Sequence, residues 1–349
     1  LLIMKKLFLA IAILAGLLLG LGALIVLTPA GQDAAFARVA KAAMARAPAP
    51  LQGLRVVVCG SASPLGNDPS RAQACIAVLT PEHFMLFDVG ARSPVRMTQA
   101  QLPMARLDGV FLTHFHSDHI AALPDVNLTT WVRGRKQPLA VYGPEGVQSV
   151  VDGFNAAYGL DRGYRTAHHG ADLLPPAAGP MQAKTIEPGV VWQDDLLTVT
   201  AFPVAHPPIE PAFGYRVDYR GRSVVISGDT NATDSLFTAA AGADLLLHDA
   251  LSRTLLDPMI ETATEAGLPV MPRIMTDVID YHADARTLPE RAAKAGVRQL
   301  AFYHMVPVPP NAVAARMFLR DLPDGIILAQ DLQTFDLPPE SEDILIREP

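Results

Sequence analysis

The sequence predicts an α+β fold: two β-sheets packed face to face with helices outside, preceded by an apolar helix. Three observations lead there. From Leu54 onward, short apolar runs of strand length alternate with runs of helical periodicity. Those strand-like runs are apolar almost throughout and so need cover on both faces. With 50% hydrophobic and 18% charged residues over 349 positions, the chain carries enough apolar surface for a sizeable core.

At the N-terminus, Lys5 and Lys6 precede an apolar run from Leu7 to Leu27. At about 1.5 Å per helical residue, such a run crosses a hydrocarbon layer of roughly 30 Å. Residues 1–30 are then either a retained membrane anchor or a secretory signal cut near Ala30 or between Asp33 and Ala37. The paired lysines place the remainder outside the cytoplasm in both cases, periplasmic or secreted. Residues 31–53 read as a helical tether and linker, alanine-rich from Asp33 to Arg46 and broken by Pro48-Ala49-Pro50. Residues 54–349 read as the folded domain.

Within it, strands are expected at Leu54–Cys59, Cys75–Leu79, Phe84–Asp88, Gly109–Thr113, Leu139–Tyr142, Leu196–Phe202, Phe213–Tyr219, Ser223–Ser227, Ala243–His248 and Gln299–Tyr303. Helices are expected at Glu145–Tyr158, Thr233–Ala241, Pro258–Ala266, Ile274–Tyr281, Pro289–Ala295 and Ala312–Leu319. Tyr219-Arg220-Gly221-Arg222 reads as a hairpin turn with Gly221 at positive φ. The Pro- and Gly-rich stretch from Leu173 to Pro180 reads as a long loop of the kind that forms lids, and His168 and His169 before it as solvated. Cys59 and Cys75 either form one disulfide, as an oxidising compartment allows, or remain buried thiols. A net charge of -7 offers no basic surface, so nucleic acid is a disfavoured partner and a small molecule the favoured one.

The chemistry concentrates in Thr113-His114-Phe115-His116-Ser117-Asp118-His119, an apolar strand that ends in three histidines and an aspartate. In extended geometry His114 and His116 share a side, and the turn that follows brings Asp118 and His119 to a neighbouring point, so one loop can feed two metals. Imidazoles and carboxylates without cysteine suit Zn²⁺, with Mn²⁺ or Fe²⁺ as alternatives. Further ligands stand where other apolar strands end: His206, Asp229 and His304. A carboxylate such as Asp229 can bridge two ions.

These residues give residues 54 to 335 a resemblance to the metallo-β-lactamase superfamily. Thr113 to His119 is similar to its HxHxDH signature, Phe87-Asp88-Val89-Gly90 to its preceding strand-end aspartate motif, and Ser227-Gly228-Asp229-Thr230 to its bridging-aspartate motif. The resemblance implies a four-layer αββα sandwich, with His114, His116 and His206 on one metal, Asp118, His119 and His304 on the other, and Asp229 shared. The commonest true β-lactamases have cysteine where Asp229 stands, so antibiotic hydrolysis is not expected. Gly214-Tyr215-Arg216, Gly221-Arg222-Ser223, Leu247-His248-Asp249 and His282-Ala283-Asp284 resemble the arylsulfatase-like and ribonuclease Z-like branch. There a histidine at the place of His282 assists catalysis. Two departures matter: the family often has glutamate at Asp249, and the long arm of tRNA-processing members is missing between His206 and Asp229.

The implied function is a di-zinc hydrolase that cleaves a sulfate or phosphate ester by hydroxide attack, with Asp118 holding the hydroxide and His282 donating a proton. Asp88 is expected to orient the metal loop through hydrogen bonds. His248 and Asp249 either border the pocket or form a buried pair. The alternatives are a ribonuclease Z-like phosphodiesterase acting at tRNA 3′ ends, a lactonase, and a metal-binding protein without turnover. The N-terminal segment, if uncleaved, makes the membrane a partner, and a homo-oligomer is compatible with the sequence.

Overall fold

The computed structural model describes residues 2–45, 51–65 and 68–349. The expected break at Pro48-Ala49-Pro50 lies outside them. The chain divides into two compact units, Leu1–Pro50 and Leu51–Pro349. In the first, helices Leu2–Leu27 and Pro29–Ala45 meet at Thr28, whose hydroxyl donates to the Leu24 carbonyl at 2.6 Å. Pro29 starts the second helix where its missing N–H costs nothing, four residues before the tether was expected to turn helical. From Met4 to Leu27 the first helix is long and apolar enough to cross a membrane.

The second unit is built on strands β1 (Leu54–Gly60), β2 (Cys75–Leu79), β3 (Phe84–Phe87), β4 (Gly109–Phe111), β5 (Leu139–Gly143), β6 (Met181–Thr185), β7 (Gly189–Gln193), β8 (Leu197–Pro203), β9 (Phe213–Tyr219), β10 (Arg222–Ile226), β11 (Leu245–Leu251), β12 (Gln299–Val306), β13 (Ile327–Leu328), β14 (Thr334–Leu337) and β15 (Leu345–Arg347). Among the described residues they form an eight-stranded sheet, β15-β14-β1-β2-β3-β4-β5-β6, and a seven-stranded sheet, β13-β12-β11-β10-β9-β8-β7. Val56, Phe87 and Phe111 from the first sheet and Tyr215, Val224, Leu247 and Tyr303 from the second share the central apolar layer. Separate layers cover each outer face: Val126, Val147 and Val151 lie over the first sheet, Leu236, Leu288 and Phe318 over the second. This is the αββα sandwich of the metallo-β-lactamase fold.

Parallel pairing brings the C-terminal ends of β3 and β4 together in one sheet, and those of β10, β11 and β12 in the other. One edge of the sandwich therefore collects the residues that follow several strands. The β9–β10 hairpin turns at Arg220 and Gly221, both at positive φ (47° and 76°), and only this hairpin and its flanking loops lie between His206 and Asp229. Cys59 and Cys75 form the disulfide, joining β1 to β2.

Several expectations need correction. His304 lies inside β12, not beyond its end: Phe302 pairs with His248 and Met305 with Ala250, so β12 carries one extra residue there. His304 takes φ 46° in this bulge, which re-aims its side chain. The strand expected to end at His248 runs on to Leu251, so Asp249 lies within β11. His168 and His169 end a helix, Gly159–His169, whose exposed polar faces concealed it among loop signals. The stretch from Leu173 to Pro180 is no free lid: Leu174 and Ala178 are buried against Trp131, whose indole donates to the Pro175 carbonyl at 3.2 Å. The helix expected at Pro258 begins at Arg253, and the one expected at Ile274 spans Met271–Asp277 before a 3-10 turn at Val278–Asp280.

Candidate metal centre

The loop after β4 folds into a single turn of helix, Ser117–Ile120, and this brings Asp118 and His119 round beside His114 and His116. His206 arrives from the loop after β8, Asp229 from the turn after β10, and His304 from the bulge in β12. Two four-residue groups result, His114, His116, His206 and Asp229, and Asp118, His119, Asp229 and His304, with the donor atoms of each within 4.8 Å of one another. Asp229 belongs to both.

In the first group, His116 Nδ1 lies 2.9 Å from His114 Nε2 and 3.3 Å from His206 Nε2. The remote nitrogens decide which atoms are free to bind. His114 Nδ1 donates to Thr113 Oγ1 at 2.9 Å and His206 Nδ1 donates to the Tyr281 carbonyl at 3.0 Å, which leaves the Nε2 lone pair of each facing inward. In the second group, His304 Nε2 lies 3.0 Å from Asp118 Oδ2, and His119 Nε2 lies 3.2 Å from Asp229 Oδ2.

Asp88 stands behind both groups at φ 56°. Its carboxylate accepts from the Thr113 N–H and the Thr113 hydroxyl, both at 2.9 Å, and from His119 Nδ1 at 2.8 Å. Thr113 therefore couples Asp88 to His114, a role that its place in the motif did not reveal. The Tyr281 carbonyl had no signal at all, because a backbone acceptor carries no residue identity.

Electrostatics divide the histidines. Burial, with the neighbouring His119, holds His114 well below the usual histidine value, and burial also lowers His116 and His206. Burial would lower His119 and His304 too, but Asp229 and Asp118 outweigh it and raise both. Burial would raise Asp118 and Asp229, and the histidines around them, His119 first, reverse this and lower both.

The donors fit divalent cations. Asp229 Oδ1 and His304 Nδ1 are buried without hydrogen-bond partners, a costly arrangement unless something positive is held between such groups. A set of nitrogen and carboxylate oxygen donors, without thiolate, suits zinc and its first-row neighbours.

The centre forms one wall of a cleft of about 350 Å³, in which His116, Asp118, Asp229, His282 and His304 take part. His282 Nδ1 donates to Asp249 Oδ2 at 2.8 Å, and the Asp249 N–H donates to Ser227 Oγ at 3.0 Å. Asp249 is wholly buried. His248 is equally buried, with Nδ1 on the Asp249 carbonyl at 2.7 Å; it does not line the cleft. His168 and His169 are exposed on their helix and are not among the residues lining the cleft.

A family model described as "Beta-lactamase superfamily domain" matches residues 85–305. The chain is 36% identical over 257 residues to the curated ribonuclease Z of Mycobacterium bovis (strain BCG / Pasteur 1173P2), covering 73% of this chain and 86% of that protein. Among solved structures, a metallo-beta-lactamase fold protein from Bacillus subtilis matches with a TM-score of 0.58 at 17% identity, over 81% of this chain and 98% of that one. The short form of human tRNase Z matches with a TM-score of 0.56 at 22% identity, over 81% of this chain and 99% of that one. These two likenesses are of fold.

Proposed function

The chain belongs to the metallo-β-lactamase superfamily, in its ribonuclease Z-like branch, and from that premise we propose that it is a metal-dependent phosphodiesterase. The observation that carries the reading is Asp229, one carboxylate common to two four-residue donor groups, in the cleft that His282 also lines. The sulfate-ester reading has less support, since the curated relatives carry the name ribonuclease Z. That name also brings RNA forward as a substrate class, against the expectation from a net charge of -7.

In this reading His114, His116, His206 and Asp229 would hold one ion and Asp118, His119, Asp229 and His304 the other. Two divalent cations so held, with Zn²⁺ first in order of fit, would supply an ionised water near neutral pH and stabilise charge on the phosphoryl oxygens. Asp118 orients the attacking water through a carboxylate oxygen. His282, with Nδ1 fixed on Asp249, presents Nε2 to the leaving oxygen, and the Asp249 charge stabilises the imidazolium that gives up the proton. Asp88 and Thr113 keep His119 and His114 in ligand orientation. The exposed apolar helix from Met4 to Leu27, with Lys5 and Lys6 near its start, supports an extracytoplasmic site of action, led or anchored there by that helix.

The test is an assay of the zinc-loaded full chain against bis-p-nitrophenyl phosphate, a 3′-extended tRNA, p-nitrophenyl sulfate and a lactone. Turnover of a phosphodiester is expected. Hydrolysis of the sulfate or the lactone with neither phosphodiester cleaved would replace this reading.

A further inference from the structure

The cleft has two chemically different walls. One is the metal centre with His282. The other is apolar: Leu65, Met271, Ile274, Val278, Tyr281 and Val306. No lysine or arginine lines it among the described residues. Met271, Ile274 and Val278 are spaced by three and four positions, so they form one stripe along the helix and its 3-10 extension.

The fold explains only part of that stripe. Val278 and Met275 pack into a cluster with Leu251, Leu256 and Val306, which fixes this helix to the ends of β11 and β12. Met271 and Ile274 lie outside that cluster and remain 42% and 44% exposed. The core leaves much of both side chains open, and they line the same cleft as the metal donors. Tyr281 joins the two sides, its ring centroid 5.0 Å from that of His206 and 5.0 Å from that of His282. A phosphodiester carries one charge and two ester groups. With its charge held at the centre, one ester group is the leaving group near His282. The other must lie along the remaining wall, where no cation waits for a second phosphate.

We propose that this wall is a subsite for an apolar group, either a flat ring or an alkyl chain, carried on the non-leaving ester of the scissile phosphodiester. The ring can come from a nucleobase, carried there on its sugar, or from a small aryl ester; the shared chemistry is an uncharged ring face on the non-leaving ester group. The inference rests on the phosphodiesterase reading and narrows it.

Two esters with the same leaving group test it: phenyl p-nitrophenyl phosphate and methyl p-nitrophenyl phosphate, with the zinc-loaded full chain. The phenyl ester is expected to have a kcat/KM about ten- to hundredfold higher. Met271→Asn combined with Ile274→Asn, both exposed enough to fold, should narrow that ratio about tenfold at an unaltered melting temperature. Equal values for the two esters with the unsubstituted protein overturn the subsite. Thymidine 5′-p-nitrophenyl phosphate identifies the source: a value near the phenyl ester supports a base on the wall, and one near the methyl ester supports a small aryl or alkyl group.

Calorimetric binding of diphenyl phosphate and dimethyl phosphate separates the two claims. If no ester turns over, the phosphodiesterase reading falls. Tighter binding of diphenyl phosphate, weakened by the double substitution, would still carry the subsite, whereas equal affinities would overturn it.

Discussion

Asp229 Oδ1 and His304 Nδ1 lie 3.3 Å apart, both buried, and neither has a hydrogen-bond partner. Buried face to face outside hydrogen-bond geometry, this nitrogen and this carboxylate oxygen are placed to share something positive, a proton or a cation. Removing the shared carboxylate should therefore cost metal before it costs fold. Asp229→Ala is expected to bind at most one ion per chain and to lose turnover. Elemental analysis of the purified variant decides it, and two ions per chain would refute the shared role.

The hydrogen bonds behind the ligands should matter almost as much. Asp88 receives the Thr113 N–H, the Thr113 hydroxyl and His119 Nδ1. Asp88→Asn keeps the shape but turns one oxygen into a donor facing the His119 N–H. Zinc affinity should fall about 10- to 100-fold, as it does when such partners are lost. Competition with a chromophoric chelator measures this, and an unchanged affinity would mean that Asp88 only caps its strand.

What the sequence made legible, and what it hid, follow from the range of the interactions. His114, His116, Asp118 and His119 are read from local spacing, because one strand end and one turn place all four. Asp229 is legible for the same reason, since Gly228 at φ 64° turns the chain straight after β10. His304 is legible as a residue type but not as a geometry, because its bulge depends on pairing with β11, far earlier in the chain. Met181–Thr185 escaped notice because it is half-exposed and lacks the apolar run of a central strand, so that pairing with its neighbour selects the extended form. Gly189–Gln193 carries the short run Val190-Val191-Trp192, but it is half-exposed and too brief to stand out beside the central strands.

The opposed shifts of the histidines predict how stability follows pH when metal is stripped. His119 and His304 have raised values, so their contribution is complete below the ordinary histidine range of about 6.5 and is lost as pH rises through the raised values. His114, His116 and His206 have lowered values, so theirs is lost as pH falls below that range. The lowered Asp118 and Asp229 add to the acid-side loss as pH falls through the carboxylate range. Chelated protein should thus melt highest near neutrality and lose stability on both sides. Zinc replaces the two protons, so its loading should release them and flatten the alkaline fall. Melting curves from pH 5 to 9, with chelator and with zinc, provide the check; parallel alkaline slopes would sink the argument.

His282 and Asp249 should behave as a unit. Their 2.8 Å hydrogen bond makes the imidazole orientation depend on the carboxylate. His282→Ala and Asp249→Ala should both retain two ions per chain. Each should slow esters with poor leaving groups by about 10²–10⁴, with a much smaller effect on p-nitrophenolate, which departs without a proton. A plot of rate against leaving-group pKa steepens if this holds. Equal slowing across the series would assign the pair to structure alone.

The tightest steric constraint on the centre comes from a residue with no side chain. A Cβ added at Gly90 would stand 2.1 Å from the Asp118 carbonyl and 2.7 Å from Gln73, so alanine there cannot be accommodated unless backbone moves. The backbone that would move carries Asp118 and His119, both donors of the second group. Gly90→Ala is expected to cost about 1–3 kcal/mol, as overpacking does, and to weaken the second ion more than the first. Gly153→Ala is the matched control: it lies in the helix Val147–Ala157 with nothing within 4 Å, so the same added methyl should be neutral or stabilise by up to ~1 kcal/mol. Thermal denaturation and zinc stoichiometry of the pair read both claims. If Gly90→Ala melts like Gly153→Ala and keeps two ions, then the Asp118 loop has room to yield, and the close approach at Gly90 does not hold the metal ligands in place.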